Sequence, residues 1–448
     1  MMTGAMAAPV QAQDALTMIT VPFPEPVPPA LSLPDLLFWW APRDGGEMAG
    51  IGVAAEIGAR GPDRFAEVER RASELFARVA VDVADGAPPW SPRLFGGFAF
   101  APGAADAPPW ADFGDAWFVL PRLLYRREGQ RAWLSVVVGE ASGADARGLA
   151  MREAERLVVA LREGRPVDAR AAAPEVRSLR QLDPSLWRDR VCRIRAAIAD
   201  GACEKIVYAR RTEVELEQAV DTRALLARLD DRHPGCFRFA FRRGDALFAG
   251  ASPERLIARQ GDRVESEALA GSIGGSGGTA ARALLDSRKD RGEQEVVERA
   301  LVETLAPLCR SLDVAPTPEV RQLRDVLHLC TPVRGQLARP LHLLQLAEAL
   351  HPTPAVGGWP TAPSLAWIAS HEQAPRGWYA GPVGWFDGNG DGELAVAIRS
   401  GLVAGSRVYA WAGAGIVAES DPDEEYAETG LKQRALLDVI GVEAEARV

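Results

Sequence analysis

The stretches KIVYARRTEVEL (205–216), CFRFAFRR (236–243) and ALFAGASPERLIARQ (246–260) decide the fold class. Each is a run of β-branched, aromatic and alternating residues bounded by Gly, Pro or Asp, the pattern of β-strands. Helical patterns flank them without a regular strand–helix–strand alternation, so the chain reads as α+β and not as a doubly wound sheet. The first strand opens on Lys205, one of only three lysines, with Lys289 and Lys432, in a chain of 48 arginines. Alternation places Lys205, Val207 and Ala209 on one face and Ile206, Tyr208 and Arg210 on the other, so the amine is expected to be half-buried. A buried amine can give up its proton near neutrality, which guanidinium cannot do; an edge lysine in an ion pair is the plainer alternative.

Upstream, LLFWW (36–40), GIGVAAEI (50–57), LFGGFAF (94–100), AWFVLPRLLY (116–125) and AWLSVVVGE (132–140) are strand-like, and FAEVERRASELFARVAVDV (65–83) is helix-like. Residues 36–170 therefore read as an N-terminal α+β region, preceded by a proline-rich, loose leader over 1–35. A linker over 164–178 leads into a second region, 178–448. That region opens with Asp183 as a helix cap, Pro184 in the first turn and Gly201 at the end. At 448 residues, 47% hydrophobic and 25% charged, the chain is a globular protein with ample core. Its net charge of −10 and scattered basic residues leave no nucleic-acid footprint, so an anionic substrate needs a local cationic pocket. Five separated cysteines without a C-x-x-C pair point to a reducing cytoplasm. Neither a signal peptide nor a membrane-spanning run is expected.

Acidic residues stand where chemistry needs them. Glu254 follows a strand at the SPE turn, a position that faces clefts and suits a general acid if apolar surroundings raise its pKa. Glu293 lies on the apolar stripe of the helix SRKDRGEQEVVERALVETLAPL (287–308), where a carboxylate must be paired or bind metal. Asp421 can cap the last helix, on which Glu425, Glu428 and Lys432 share the apolar face with Leu436 and Val439. Inward carboxylates match a hard, oxygen-ligated ion such as Mg2+, and an ordinary Glu428–Lys432 helix pair is the alternative. GSIGGSGGTA (271–280) and WAGAGIVAES (411–420) lack the phosphate-loop and dinucleotide signatures, and read instead as backbone N–H groups close to a small anion. Arg399 can grip a carboxylate in two-pronged fashion. His328 can orient a substrate.

Taken in order, KIVYAR, FAGASPERLI, EALAGS, SRKDRGEQEVV, LHLCTPVRG, ALHPTPAVGG, RGWYAGPVGW, AVAIRSG and GAGIVAESDPDEEYAET, with Lys432 three residues on, resemble the chorismate-utilising enzymes. That family holds isochorismate, salicylate, anthranilate and aminodeoxychorismate synthases. The resemblance implies one composite domain over 36–448: a large two-layer antiparallel β-sandwich flanked by helices, as in the anthranilate synthase large subunit, with the active site between the sheets. It implies Lys205 as the base activating water for attack at C2 of chorismate, and Glu254 as the acid protonating the departing C4 hydroxyl. It makes Glu293 and Glu428 direct Mg2+ ligands and Glu425 a ligand through water. Arg399, Tyr379, Lys432 and the backbone at Gly271, Ser272, Gly413 and Gly415 would hold the substrate's carboxylates, with His328 beside the ring.

A lysine at 205 disfavours the ammonia-using anthranilate branch, and with it an obligatory glutaminase partner. Ala270 replaces the lysine nucleophile of aminodeoxychorismate synthases. Ser272, where salicylate synthases tend to carry threonine, favours isochorismate as final product. Salicylate synthase and a non-catalytic chorismate-binding protein remain the alternatives. Gln294 and Ala374 depart from the histidine and the aromatic residue common at those places.

Overall fold

β-Branched and aromatic residues favour a pleated surface with one face buried, and this chain supplies enough of them to build a sheet network of 21 strands. The structure is a computed structural model that describes residues 15–24, 29–33, 35–139, 145–163, 174–324 and 326–442. Its first part contains β1 (Leu16–Pro22), β2 (Leu36–Ala41), β3 (Glu47–Ala59), α1 (Arg64–Phe76), β4 (Val79–Val83), β5 (Arg93–Phe98), β6 (Ala116–Glu128), β7 (Arg131–Gly139) and α2 (Ala146–Glu163). The middle holds β8 (Val176–Arg180), α3 (Pro184–Ala199), β9 (Lys205–Leu216), α4 (Thr222–Arg232), β10 (Phe237–Arg243), β11 (Ala246–Ser252), β12 (Arg255–Gln260) and β13 (Arg263–Gly274). Next come α5 (Gly278–Asp286), α6 (Arg288–Leu305), β14 (Cys309–Val314), β15 (Glu319–Gln322), β16 (Val326–Leu337), α7 (Leu343–Leu350), β17 (Gly358–Trp359) and α8 (Thr361–His371). The chain closes with β18 (Pro382–Asp387), β19 (Gly392–Val396), β20 (Ser400–Ala404), β21 (Arg407–Ile416) and α9 (Pro422–Ile440).

The pairings form two arms that share β3 and β6. One arm runs from β4 through β1, β7, β6, β3, β2, β10, β11, β20 and β21 to β9, whose far edge meets β8 and β17. The other leaves β6 through β5, β18, β19, β12 and β13 to β16, with β14 and β15 beyond. All these pairs are antiparallel except β1–β4. The arms meet face to face: Phe38 on β2 stacks on Phe95 on β5 with ring centroids 4.0 Å apart, and Phe248 on β11 packs edge-on against Trp378. Helices cover the outside, α6 on β13 and β16 and α9 on β21. This is the α+β architecture expected from the strand pattern.

The pairs β2–β10 and β5–β18 join residues 36–170 to residues 178–448. One buried apolar cluster draws on both stretches. Two local expectations change. The segment expected as a loose leader contributes β1, because LTMITV is apolar and β-branched and buries Met18, Ile19 and Val21; the prolines after it dominated the reading. Residues 1–14, 25–28 and 34, and 164–173 of the expected linker, lie outside the described residues. The helical pattern of 65–83 breaks at Phe76, and Val79–Val83 becomes β4, since its β-branched residues find a partner in β1. The caps at Asp183 and Asp421 form as expected, their side chains accepting from Ser185 N and from Asp423 N and Glu424 N.

Phe38 is 1% exposed at the junction of the arms. Phe38→Ala is expected to cost about 3–5 kcal/mol, seen as a lower urea midpoint; an unchanged midpoint would show that the arms gain nothing from packing there.

Candidate active site

Lys205 is the first residue of β9, and its backbone is pinned by β17 and by Ser364, whose hydroxyl donates to Lys205 O at 3.1 Å. The side chain is 0% exposed, deeper than the half-burial expected, and its Nζ lies 2.9 Å from Glu293 Oε1. Glycine at 415, on the neighbouring strand, makes room for the pair. A Cβ there would fall 2.2 Å from Glu293 Oε1 and 2.7 Å from Lys205 Cε.

Glu254 sits where β11 turns into β12 and is 2% exposed, so it is not a solvated turn residue. Its N–H donates to Ser252 Oγ at 3.2 Å and its carbonyl accepts from Val396 N at 3.1 Å. Burial pushes the carboxyl up to about 8, with Glu267 adding to the rise and Lys205, Arg321 and Lys432 opposing it. A carboxyl in that state still carries its proton at neutral pH.

Both residues bear on one narrow cleft between the arms: Glu254 and Glu293 line it, and Lys205 meets Glu293 from behind. Gly271, Ser272, His328, Tyr379, Arg399, Gly413, Gly415 and Lys432 line it too. His328 is kept neutral, because burial and then Arg399 push its pKa well below the usual value. Arg399 Nη2 lies 3.0 Å from His328 Nε2, and guanidinium can only donate, so Nε2 accepts and the proton sits on Nδ1. Nδ1 in turn faces Gly271 O at 3.1 Å and Ser272 Oγ at 3.0 Å. Arg399 adopts a left-handed backbone, φ 53°, strain of the kind that gathers at functional sites. Burial pushes the Tyr379 hydroxyl up to about 12.

Two expected amide donors face the cleft for a reason of register. Val207 N and Ala209 N bond outward, to Gly357 O and Glu372 Oε1, so Gly413 and Gly415 opposite them turn their backbone groups away from β9. On that side β20 pairs with β21 no further than Ala410. Gly413 O accepts from Lys432 Nζ at 3.0 Å. Ser272 differs from expectation: its N–H donates to Asp290 Oδ1 at 3.2 Å instead of standing open to a ligand. Gly271, φ 67°, sits in the bulge between Ala270 and Ser272, where a Cβ would come within 2.9 Å of Asp290 Cβ.

The expected metal ligands come from α6 and α9, and each faces a lysine. Glu293 meets Lys205; Glu425 Oε1 lies 2.6 Å from Lys289 Nζ, and Glu428 Oε1 2.5 Å from Lys432 Nζ. All three lysines of the chain are used this way. Burial and then Glu428 push the Glu425 carboxyl up to about 7 against the pull of Lys289. For Glu293 burial also pushes upward, but Lys205, with Lys432 and Lys289, outweighs it and the net shift is downward. Among the described residues no three such side chains stand together as a ready-made metal cage.

Several residues of the site had no role in the sequence reading. Lys289 was visible only as a rare lysine. Arg376, 2% exposed, grips Glu372 and donates to Val207 O at 2.8 Å and Val356 O at 2.6 Å, closing one wall. Gln294, the departure from histidine, donates to Ala268 O and Thr331 Oγ1, both at 3.0 Å, and ties α6 to the sheet. Glu267 with Arg43 and Arg321 surrounds the Glu254 turn; nothing in the local pattern joins residues so far apart.

An antiparallel two-armed fold enclosing a buried acid, a buried lysine and a basic lining defines a class that comparison makes specific. Residues 30–441 match the family described as chorismate binding enzyme, and the chain belongs to that family. It is 37% identical over 399 residues to the salicylate biosynthesis isochorismate synthase of Pseudomonas aeruginosa, covering 87% of this chain and 82% of that one. It is 32% identical over 421 residues to isochorismate synthase MenF of Bacillus subtilis, covering 91% and 88%. The solved structure of the menaquinone-specific isochorismate synthase MenF from Escherichia coli superposes with a TM-score of 0.78 at 26% identity, over 95% of both chains. Anthranilate synthase component I from Streptococcus pneumoniae shares the fold, with a TM-score of 0.68 at 18% identity over 97% of this chain and 95% of that one.

The raised carboxyl at Glu254 has a thermodynamic consequence. The folded chain keeps this proton up to about pH 8, while the unfolded chain releases it near 4.5. The resulting stability is complete below 4.5 and is lost as pH rises through about 8. Urea midpoints taken at about pH 5 and about pH 8.5 should fall more in the native protein than in Glu254→Gln. Equal falls would mean that Glu254 is already ionised when folded.

Proposed function

We propose that the protein is an isochorismate synthase, adding water at C2 of chorismate while the hydroxyl at C4 departs. The observation that carries this reading is a proton-bearing buried carboxyl that lines the cleft, together with a buried lysine held against the cleft-lining Glu293. Lys205 begins β9, and Glu254 follows β11, three places away in the same arm. At ~4.8 Å per strand the two backbones stand roughly 14 Å apart, leaving room for a ring between the side chains. As the neutral amine, Lys205 takes a proton from water while the water oxygen bonds to C2. The C1–C2 double bond moves to C1–C6, the C5–C6 double bond moves to C4–C5, the C4–O bond breaks, and Glu254 hands its proton to the departing oxygen, which leaves as water. One water enters and one departs. Arg399, Tyr379, Lys432 and the Gly413 and Gly415 amides hold the two substrate carboxylates, with neutral His328 beside the ring.

Mg2+ fits the donor set. Glu293, Glu425 and Glu428 are hard oxygen ligands, and burial together with the charges of Glu428 and Glu293 lifts Glu425 to about 7, a cost that a cation would relieve. When bound, the ion would supply positive charge to a substrate carboxylate. With water as nucleophile, no ammonia-supplying subunit is needed. The five cysteines, none of them in a disulfide, suit a cytoplasmic location, and among the described residues no helix is long and apolar enough to cross a membrane.

Incubation with chorismate and Mg2+, followed by NMR of the products, should show isochorismate accumulating. Salicylate with pyruvate would overturn the reading in favour of a salicylate synthase, and binding without turnover in favour of a non-catalytic protein. Lys205→Arg keeps the charge but not the base, so turnover should fall by roughly 10²–10⁴-fold; near-normal turnover would remove Lys205 from that role. The native rate should decline above about pH 8, as Glu254 loses its proton. Glu428→Gln should raise the Mg2+ concentration needed for half-maximal rate, and an unchanged titration would take Glu428 out of the metal site.

A further inference from the structure

The turn that presents Glu254 is gripped on both sides by a charged cluster outside the cleft. Arg43, in the connection between β2 and β3, donates through Nη1 to Pro253 O at 3.0 Å and to Glu267 Oε1 at 2.8 Å, and through Nη2 to Glu267 Oε2 at 3.0 Å. Arg321, on β15, donates to the same carbonyl at 3.0 Å and to Glu267 Oε1 at 2.6 Å. Glu267 Oε1 also accepts from Arg255 N at 2.8 Å. The residues immediately before and after Glu254 are thus bound to one carboxylate and its two arginines. Arg43 lies 210 residues from Pro253 in sequence and packs over the Phe237 ring at 4.7 Å, so the N-terminal part of the chain reaches the acid's turn.

We propose that Glu267, clamped by Arg43 and Arg321, is the positioning residue for Glu254: it fixes the Pro253–Arg255 turn, and its negative charge adds to the burial that favours the acid form of the neighbouring carboxyl. The proposal rests on Glu254 being the general acid. Glu267 is itself ionised, because its two arginines outweigh a burial that pushes the other way. Burial favours the protonated state of Glu254 most and the charge of Glu267 adds to it, while Lys205, Arg321 and Lys432 oppose it. Arg399, His328 and Glu293 line the same cleft, His328 without charge. Arg43 acts on Glu254 through Glu267 and Pro253 O, and Arg255 is taken up by Glu393 at 2.8 Å and Glu265 at 3.0 Å.

Two substitutions in one clamp should then move the same group in opposite directions. Glu267→Gln retains the shape and an oxygen for the arginines but removes the negative charge, so the high-pH decline in kcat should move down by about one pH unit. Arg43→Met keeps an apolar stem over Phe237 and leaves Glu267 less neutralised, so the decline should move up. A purely structural clamp would lower kcat or stability in both variants without displacing the profile, and that result overturns the proposal. Should Glu267→Gln fail to fold, Arg43→Met decides alone, an unmoved decline again overturning it. Glu254→Gln separates the two readings. If it is inactive while Glu267→Gln and Arg43→Met keep the native profile, the clamp proposal falls and the acid assignment stands. If it turns over with the high-pH decline intact, the acid assignment falls and takes the proposal with it.

Discussion

Several carboxylates crowded into one protein interior cannot all stay ionised unless cations stand opposite them. Here Glu293, Glu425 and Glu428 from two helices face Lys205, Lys289 and Lys432. A chain that uses arginine 48 times reserves its three lysines for this one place. An ammonium is a compact point charge on a flexible stem, which fits between crowded carboxylates more easily than a planar guanidinium. The pairs join β9 to α6, α6 to α9, and neighbouring turns of α9, and so tie together the elements forming that end of the cleft. Gly415 follows from the same constraint, since any side chain there would strike the Lys205–Glu293 pair.

At the other end of the cleft the constraint is met in the opposite way. Glu254 is buried with no ion-pair partner among the described residues and keeps its proton, while Glu267 just behind it is held ionised by two arginines. Two neighbouring glutamates, one at the β11–β12 turn and one on β13, are thus driven to different states by what surrounds them, the arrangement that separates an acid from a charge. The two-armed sheet makes the separation possible. β11 carries the acid's turn and β9 the lysine, with β20 and β21 spacing them apart, and the second arm brings β13 and β16 over the top with Gly271, Ser272 and His328.

Much of this was legible in the sequence where the signal is local. Strand alternation gave the face of Lys205, the Ser-Pro-Glu turn gave the position of Glu254, and helical spacing gave the inward stripe of Glu293, Glu425 and Glu428. Of these, Glu254 and Glu293 line the cleft, Lys205 lies behind Glu293, and Glu428 pairs with the cleft-lining Lys432. Long-range contacts were not legible. The pairing of each carboxylate with a lysine depends on how α6, α9 and β9 come together, and Arg43 finds Glu267 across 224 residues. The Ser272 amide is taken by Asp290 because a helix arrives beside the bulge, which a strand pattern cannot foretell. β1 was missed because the prolines that follow it outweighed six apolar and β-branched residues whose partner strands lie far along the chain.

In the proposed reaction a base and an acid, placed apart, exchange one water for another across a ring. Running the reaction in oxygen-18 water and reading the product by mass spectrometry tests it most directly. One heavy oxygen, at C2, is expected in each product molecule, because that oxygen comes from solvent while the C4 oxygen is lost. A product that carries no label would show the hydroxyl migrating within the substrate, and would contradict the separate roles of Lys205 and Glu254.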